Sequence, residues 1–313
     1  MAKNSRSKQT NHKHHVPAQP KGFALWVEGA RLRTLPLAIA PVLIGAGAAT
    51  VGNRFNWTLA LLALAVALFL QIGVNFANDY SDGIRGTDAT RNGPLRLTGS
   101  GSAKPAAVKY TAFAFFGLAA LAGLSITVLT GFWWLIAVGL ACIVAAWFYT
   151  GGKSPYGYAG LGELAVFVFF GPVAAVGTAF IQLGQLDPAS VLLGCAAGLF
   201  ASAVLMINNI RDRQLDQHVG KRTLAVKAGA TGAKVIYLLL LWLPFGLLGV
   251  ASVFYPTVLL ALATLLLVLP TTLIALTAKT TKEYVLALKL TSFSALAFAV
   301  ASAWGLLLVG TLV

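Results

Sequence analysis

Acidic side chains are scarce in this sequence. Only nine of its 313 residues are Asp or Glu, against 23 Lys and Arg. Charged residues of both signs make up 10% of the chain, whereas soluble globular proteins carry about 25%. The mean hydropathy is +0.80. A chain with so little charge lacks the polar surface that a large soluble domain requires.

Cysteine and nucleotide-binding motifs are nearly absent as well. Cys142 and Cys195 are the only cysteines, and each lies in an apolar run, which predicts core packing and excludes a disulfide or zinc framework. No GxxxxGK[ST] loop occurs, so nothing indicates an NTPase. The N-terminal segment is polar, basic and without the apolar centre of a signal peptide. We expect a disordered cytoplasmic tail over residues 1–22 and a transmembrane domain over residues 23–313.

Long apolar runs are abundant instead. Runs of about 20 residues recur along almost the whole chain, and each is long enough to cross a hydrocarbon core of roughly 30 Å. This pattern predicts an all-α polytopic membrane protein, a bundle of nine transmembrane helices. The predicted helices cover residues 34–52, 57–79, 108–129, 132–150, 161–183, 188–208, 232–254, 256–278 and 285–311.

The positive charges indicate the orientation of this bundle. Arg54 is the one cation in an outer loop, and the others lie in the N-terminal segment, in the inner loops or, like Lys289, near the inner end of a helix. This asymmetry places the N-terminus in the cytoplasm and the C-terminus outside. The cations lack the interleaved aromatics of a nucleic-acid surface, so we expect membrane lipid or a polyphosphate as partner and no nucleic acid.

The scarce acids gather in two motifs, each directly after an apolar run. The first is NDYSDGIRGTD, residues 78–88, and the second is NNIRDRQLD, residues 208–216. They align at an offset of 130, and the upstream segments APVLIGAGAA and GPVAAVGTAF align at 131, which indicates an internal repeat. Five of the nine acids fall in these motifs, namely Asp79, Asp82, Asp88, Asp212 and Asp216.

Acids at this spacing indicate a divalent cation. Steps of three and four residues place carboxylates on one face wherever the helix continues. Carboxylates packed together resist ionising together unless a cation shares their site. Mg²⁺ prefers carboxylate and phosphate oxygens, and no Cys or His joins the motifs. The alternative is that these are solvated loop acids that cap helices. The presence of two such motifs favours this alternative less than a single motif would.

Basic residues surround both motifs and predict a diphosphate site. Lys153 is the one cation of the link YTGGKSPYGYAGLGE, residues 149–163, where it could stabilise a leaving diphosphate or a phenolate. Arg33, at the start of the first helix, is expected to reach the cavity, with Arg31 as a membrane anchor. The other basic candidates are Arg85, Arg91, Arg96, Arg211, Arg213, Lys221 and Arg222.

At these residues the sequence resembles a known family, the UbiA superfamily of intramembrane aromatic prenyltransferases. The resemblance rests on NDYSDGIRGTD, on NNIRDRQLD followed by KRTLAV, and on YTGGKSPYGYAGLGELAVFVFFGP, and it runs from about Trp26 to Gly229. Within the superfamily, these motifs most closely resemble the branch that acts on 1,4-dihydroxy-2-naphthoate in menaquinone biosynthesis. The resemblance implies a nine-helix bundle around a cavity in the plasma membrane, with the active site on the cytoplasmic side.

The same resemblance implies an activity and its residues. A polyprenyl group would pass from polyprenyl diphosphate to the aromatic acid, which loses CO₂. Mg²⁺ would be held by Asp79, Asp82, Asp88, Asp212 and Asp216. Lys153, Asp82 and Asp212 would be catalytic, and Phe76, Trp147 or Phe148 would stabilise an allylic cation. Substrate would be bound by Arg33, Asn75, Asn78, Tyr149, Asn209, Arg211, Lys221 and Arg222.

The sequence departs from the superfamily pattern at one position, and two alternative functions remain open. Asn209 stands where many superfamily members have an acid, and an amide is a weaker metal ligand than a carboxylate. A UbiA-type enzyme with a different acceptor is the nearest alternative. A cation-coupled transporter is the alternative from another class, although acids at the edge of the membrane rather than its middle count against it.

The orientation can be tested by labelling. In a chain with Cys142 and Cys195 replaced, a cysteine at Ser100 should resist an impermeant thiol reagent in intact cells, because the charge asymmetry places residues 80–107 inside. A cysteine at Gln185, in an outer turn, should react. Labelling at position 100 with protection at position 185 would invert the predicted orientation.

Overall fold

The computed structural model describes residues 22–87 and 95–312, and the described residues form helices and connecting turns without a strand. The predicted all-α class is confirmed. The α-helices are α1 (Phe23–Ala30), α2 (Leu35–Val51), α3 (Trp57–Ile84), α4 (Pro105–Thr130), α5 (Leu135–Phe148), α6 (Gly162–Val168), α7 (Ala174–Leu183), α8 (Pro188–His218), α9 (Leu224–Phe254), α10 (Leu265–Thr277) and α11 (Thr281–Leu312).

Within the described residues these helices make nine passes. Eight segments are long and apolar enough to span a membrane, and the shorter α5 is the ninth apolar helix. Three passes are composite: α1 continues into α2, a π-helical turn (Phe169–Val173) joins α6 to α7, and a 3₁₀ segment (Pro256–Thr264) precedes α10. Prolines lie inside the π-helical turn and α10, where they remove backbone hydrogen bonds of a regular helix.

The two helices that carry the acidic motifs extend beyond their predicted ends. α3 continues to Ile84 instead of 79, and α8 continues to His218 instead of 208. The predicted ends mark where the apolar run stops, but a helix needs only satisfied backbone groups to continue into a polar environment. A side-chain cap starts each helix. The side chain of Asn56 accepts a hydrogen bond from the N–H of Leu59, and that of Asp187 accepts one from the N–H of Ser190.

Other helix bounds also differ from their predicted positions. α9 starts at Leu224 rather than 232, and it is interrupted at Gly229, whose φ of 72° breaks the helical path. Residues 1–21 and 88–94 lie outside the described part of the chain, so the predicted tail, Asp88 and Arg91 are not located by the structure.

Small residues allow close helix packing around α8, the most buried of the membrane spans. A Cβ added at Gly171 would lie 2.8 Å from both the carbonyl oxygen of Gly194 and the Cα of Gly198 on α8. Without a hydrophobic driving force in lipid, such backbone approach is a main source of helix association. The π-helical turn, which contains a proline, thus packs directly against α8, the helix that carries the second acidic motif.

This packing predicts opposite effects of two alanine substitutions. Gly171→Ala should destabilise the protein by about 1–3 kcal/mol, because its methyl group would overlap α8. Gly117→Ala, on α4 where an added Cβ meets nothing within 4 Å, should stabilise by up to about 1 kcal/mol through helix propensity. Unfolding midpoints in detergent measure both. Equal midpoints for the two variants would contradict the close packing.

Candidate active site

A cavity of about 400 Å³ runs between the helices and has a charged end and an apolar end. Ala63 and Asn78 of α3 both line it, and 15 residues of helix separate them by about 22 Å. The apolar end includes Val42, Ile126 and Leu135. The polar end is lined by Arg31, Arg33, Thr34, Gln71, Asn75, Asn78, Arg96, Tyr149, Tyr156, Asn208 and Arg211. Its shape fits a long apolar ligand with an anionic head.

The first acidic motif lies on the last turns of α3, just behind this polar lining. Asp79 is fully buried, and its two carboxylate oxygens accept the backbone N–H groups of Leu97 and Thr98, each at 2.8 Å. It does not line the cavity. Asp79 thus holds the backbone at Leu97 and Thr98 against α3. Its predicted role as a metal ligand stays a prediction.

Asp82, one turn further, is the meeting point of three polar links. Its Oδ1 accepts a hydrogen bond from the Tyr158 hydroxyl and lies 3.4 Å from the Lys221 ammonium. Its Oδ2 lies 3.7 Å from the guanidinium of Arg96, which lines the cavity. These partners come from the segments after α3, α5 and α8, so the two halves of the repeat are joined at this carboxylate.

The second motif repeats the arrangement on α8. The guanidinium of Arg211 binds Asp212 at 2.6 and 2.7 Å and donates to Asn208 at 2.9 Å. Arg211 and Asn208 line the cavity, and Asp212 and Asp216 are buried behind them. Asn208 therefore corresponds to Asn78, which also lines the cavity and accepts a hydrogen bond from the Thr150 hydroxyl.

Asn209 occupies the position that corresponds to Asp79, and it too is engaged in packing. Its amide nitrogen donates to Oε1 of Glu163 at 2.9 Å, which joins α8 to α6. Glu163 and Asn209 are both buried. This contact explains the amide at position 209, because a carboxylate there would face the carboxylate of Glu163.

Arginines just before α2 and amides of α3 line the polar end together. Arg33 lies there as predicted, and Arg31 lies there too, although we expected it to be a membrane anchor. Arg31 has a left-handed backbone (φ 53°), which turns the chain between α1 and α2. Thr34 donates to the carbonyl of Arg31 and accepts from Gln71 and Asn75, so these side chains are fixed in one network.

The cavity lining also lacks three further residues that were predicted to act on substrate, Lys153, Lys221 and Arg222. Lys153 is exposed, on a turn whose carbonyls at Thr150 and Gly152 accept from Arg85. Arg222 is exposed, and its backbone N–H donates to the Tyr158 carbonyl at 2.8 Å. Lys221 reaches Asp82 rather than the cavity. Their predicted roles toward substrate stay predictions.

The three aromatic residues predicted to stabilise an allylic cation are not part of the cavity lining, and that role stays a prediction. Phe76 is buried against Trp26 and Phe115, and Trp147 stacks on Phe113. Phe148 is about half exposed. The apolar run showed that these rings were in the membrane but not which face of the helix carried them. The aromatic residues that do line the cavity are Tyr149, Tyr156, Phe169 and Phe170.

The phenols of the link between α5 and α6 are proton donors. Burial raises the pKa of Tyr156 to about 12. Burial, and next the charge of Glu163, raise the pKa of Tyr149 further, and burial followed by the charge of Asp82 raises that of Tyr158. All three hydroxyls therefore keep their protons near neutral pH and donate hydrogen bonds.

The acids do not form a metal cage by themselves. Within residues 22–87 and 95–312, no three Asp, Glu, His or Cys side chains are grouped closely enough to hold one ion. Carboxylates that lie behind the polar lining without forming a closed cage fit Mg²⁺, which usually takes one or two carboxylates, several waters and substrate phosphates. The donor set is thus suited to a cation that arrives together with an anionic substrate.

Comparison with known proteins agrees with this site. The UbiA prenyltransferase family model matches residues 38–293. The 1,4-dihydroxy-2-naphthoate octaprenyltransferase of Mycobacterium tuberculosis (strain ATCC 25618 / H37Rv) is 53% identical over 231 residues, which cover 74% of this chain and 76% of that protein. The protein of the same name from Escherichia coli (strain K12) is 40% identical over 215 residues, 67% of this chain and 70% of that one.

Solved structures share the fold. A UbiA homolog from Archaeoglobus fulgidus bound to GPP and Mg²⁺ has a TM-score of 0.65 at 14% identity, with 89% of this chain and 99% of that chain covered. The apo structure of a UbiA homolog from Aeropyrum pernix K1 has a TM-score of 0.66 at 16% identity, with 87% and 96% covered. The predicted nine-helix bundle of this type is confirmed.

The contact between Asn209 and Glu163 can be tested without an activity assay. Asn209→Asp should destabilise the protein by about 1–3 kcal/mol, because two buried carboxylates replace a donor and an acceptor. Adding Glu163→Gln should restore much of the loss, since the introduced carboxamide can donate to the introduced carboxylate. Unfolding midpoints of both variants check this. A double variant no more stable than Asn209→Asp would contradict the contact.

Proposed function

Because this chain belongs to the UbiA prenyltransferase family, we propose that it transfers a polyprenyl group from polyprenyl diphosphate to 1,4-dihydroxy-2-naphthoate. The aromatic acid loses its carboxylate as CO₂, and the product is a demethylmenaquinol of menaquinone synthesis. Relatives named for this reaction are 40–53% identical to the chain. Family membership also removes the ground for the transporter alternative.

The observation that carries this proposal is the division of the cavity into a charged end and an apolar length. Arg96 and Arg211 line the charged end, and each lies against an acid of one motif, Asp82 and Asp212. A prenyl diphosphate has the matching division, with a polyanionic head and an apolar tail. The tail would lie among the apolar residues and the head between the two motifs.

The acids and bases of the site fit a Mg²⁺–diphosphate complex together. We propose Asp82, Asp212 and Asp216 as the carboxylates that hold the ion, together with Asp88 from the sequence. When bound, Mg²⁺ neutralises charge that develops on the departing diphosphate. The bases now paired with the acids, Lys221 above all, are then available to phosphate oxygens.

The protein groups have separate tasks in the reaction. Arginines at the polar end stabilise the diphosphate as the allylic C–O bond breaks. The apolar walls keep water from the resulting allylic cation. The electron-rich ring carbon that bears the carboxylate then bonds to the cation, and the loss of CO₂ restores the aromatic ring. Neutral phenols such as Tyr149 and Tyr156 line this space and can donate to the acceptor's oxygens.

The remaining assignments extend this proposal. We propose that Lys153 acts on the diphosphate or the acceptor. This role requires the exposed turn that carries Lys153 to close over the polar end. The positive-inside asymmetry supports a plasma-membrane protein whose polar end faces the cytoplasm. The chain's several apolar helices make it a multi-pass membrane protein in either orientation.

Product analysis tests the proposed reaction. Purified protein with Mg²⁺, a polyprenyl diphosphate and 1,4-dihydroxy-2-naphthoate should give a product whose mass is that of the acceptor with its carboxyl group replaced by the prenyl group. The product should vanish on chelation and return with Mg²⁺. Preference for 4-hydroxybenzoate, or a naphthoate product that keeps its carboxylate, would contradict the assignment.

Two acids on the same helix provide a matched comparison for that assay. Asp212→Ala should lower kcat/KM by at least about 100-fold, or about 2.7 kcal/mol of transition-state stabilisation. Asp187→Ala removes the cap at the opposite end of α8 and should cost stability of about 1 kcal/mol while keeping most activity. Full activity in Asp212→Ala would exclude that residue from the machinery.

A further inference from the structure

Tyr158 lies in the link between α5 and α6, and it contacts the first acidic motif and the segment that follows the second. Its hydroxyl donates to Oδ1 of Asp82. Its ring lies between two cations, with the Lys221 ammonium 4.4 Å and the guanidinium carbon of Arg85 5.4 Å from the ring centroid. Arg85 belongs to the first motif, and Lys221 lies after the end of the second. One side chain thus contacts an acid and two bases of the site and fixes their positions relative to one another.

The backbone around Tyr158 is fixed from both sides. Arg222 donates its backbone N–H to the Tyr158 carbonyl at 2.8 Å, and the Lys227 ammonium donates to the Ala159 carbonyl at 2.6 Å. On the other side, Arg85 donates to the carbonyls of Thr150 and Gly152. The position of the phenol is therefore set by the first motif and by the segment after the second, rather than by the link alone.

The contact has a direct consequence for Asp82. A carboxylate that ligates Mg²⁺ through one oxygen leaves its other oxygen to protein donors, and these donors decide how the carboxylate is turned. At Asp82, Oδ1 takes both Tyr158 and Lys221, whereas Oδ2 has Arg96 at 3.7 Å, beyond hydrogen-bond distance. Oδ2 is the oxygen that can turn to a cation when Arg96 moves to phosphate.

We propose that Tyr158 is a positioning residue for the metal–diphosphate site. Its hydroxyl holds Oδ1 of Asp82 so that Oδ2 faces the divalent cation, and its ring keeps Lys221 beside the diphosphate. This inference rests on the proposed function, because it requires a metal–diphosphate complex at Asp82. The hydroxyl and the ring have separable effects, which substitution can distinguish.

The test measures metal binding directly. Mn²⁺ binding to the purified protein in the presence of inorganic diphosphate is followed by the loss of the free-ion EPR signal. Tyr158→Phe removes only the hydroxyl and should weaken Mn²⁺ binding about 10- to 100-fold, the usual effect of losing a partner of a metal ligand. Tyr158→Leu also removes the ring and should weaken diphosphate binding further.

A matched control separates positioning from stability. The hydroxyl of Tyr237 pairs with Thr291 at 2.8 Å, between α9 and α11 and away from the cavity lining. Tyr237→Phe loses a more deeply buried hydroxyl contact and should bind Mn²⁺ within about twofold of wild type. Turnover by Tyr158→Phe should recover at high Mg²⁺, which a merely misfolded variant would not do.

The outcomes distinguish this inference from the proposed function. Wild-type affinity for Mn²⁺ in Tyr158→Phe, or tighter binding, would overturn the positioning role and leave the proposed function intact. A wild-type protein that binds no Mn²⁺ with inorganic diphosphate would overturn both. A loss in Tyr158→Phe that Tyr237→Phe shares would show a stability effect and would also overturn the inference.

Discussion

A buried carboxylate is stable only where donors or opposite charges surround it, and the polar end of this protein is organised by that requirement at Asp82. The side chain is 4% exposed, and its partners Tyr158, Lys221 and Arg96 come from three different links. Satisfying one acid therefore brings the ends of α3, α5 and α8 together. The same groups that neutralise Asp82 in this structure are those a diphosphate and its cation would engage.

The internal repeat explains why two helices carry similar but unequal motifs. In each motif one asparagine lines the cavity, Asn78 in the first and Asn208 in the second. The residue after it is used for packing: Asp79 binds backbone N–H groups and Asn209 binds Glu163. The acid one turn later faces bases of the site. The repeat thus separates positions that hold the fold from positions that line the cavity or face its bases.

Sequence predicted the helical bundle and the convergence of the motifs, because apolar length and paired acids are local signals. It missed Tyr158, whose contact with Asp82 spans 76 residues and leaves no trace in spacing. It set the ends of α3 and α8 too early, since hydropathy reports the membrane boundary rather than the helix end. It selected Asn209 as the binding amide, although the alignment of Asn78 with Asn208 already indicated the neighbouring residue.

The central claim is that both acidic motifs hold one metal–diphosphate complex at the polar end of the cavity. The most direct measurement is a crystal structure of the protein with Mn²⁺ and a non-reactive prenyl thiolodiphosphate, with the metal located by its anomalous signal. The account predicts Mn²⁺ coordinated by Asp82 of α3 and by Asp212 or Asp216 of α8, with the diphosphate between them. Metal bound by one motif alone, or a diphosphate outside the polar end, would contradict it.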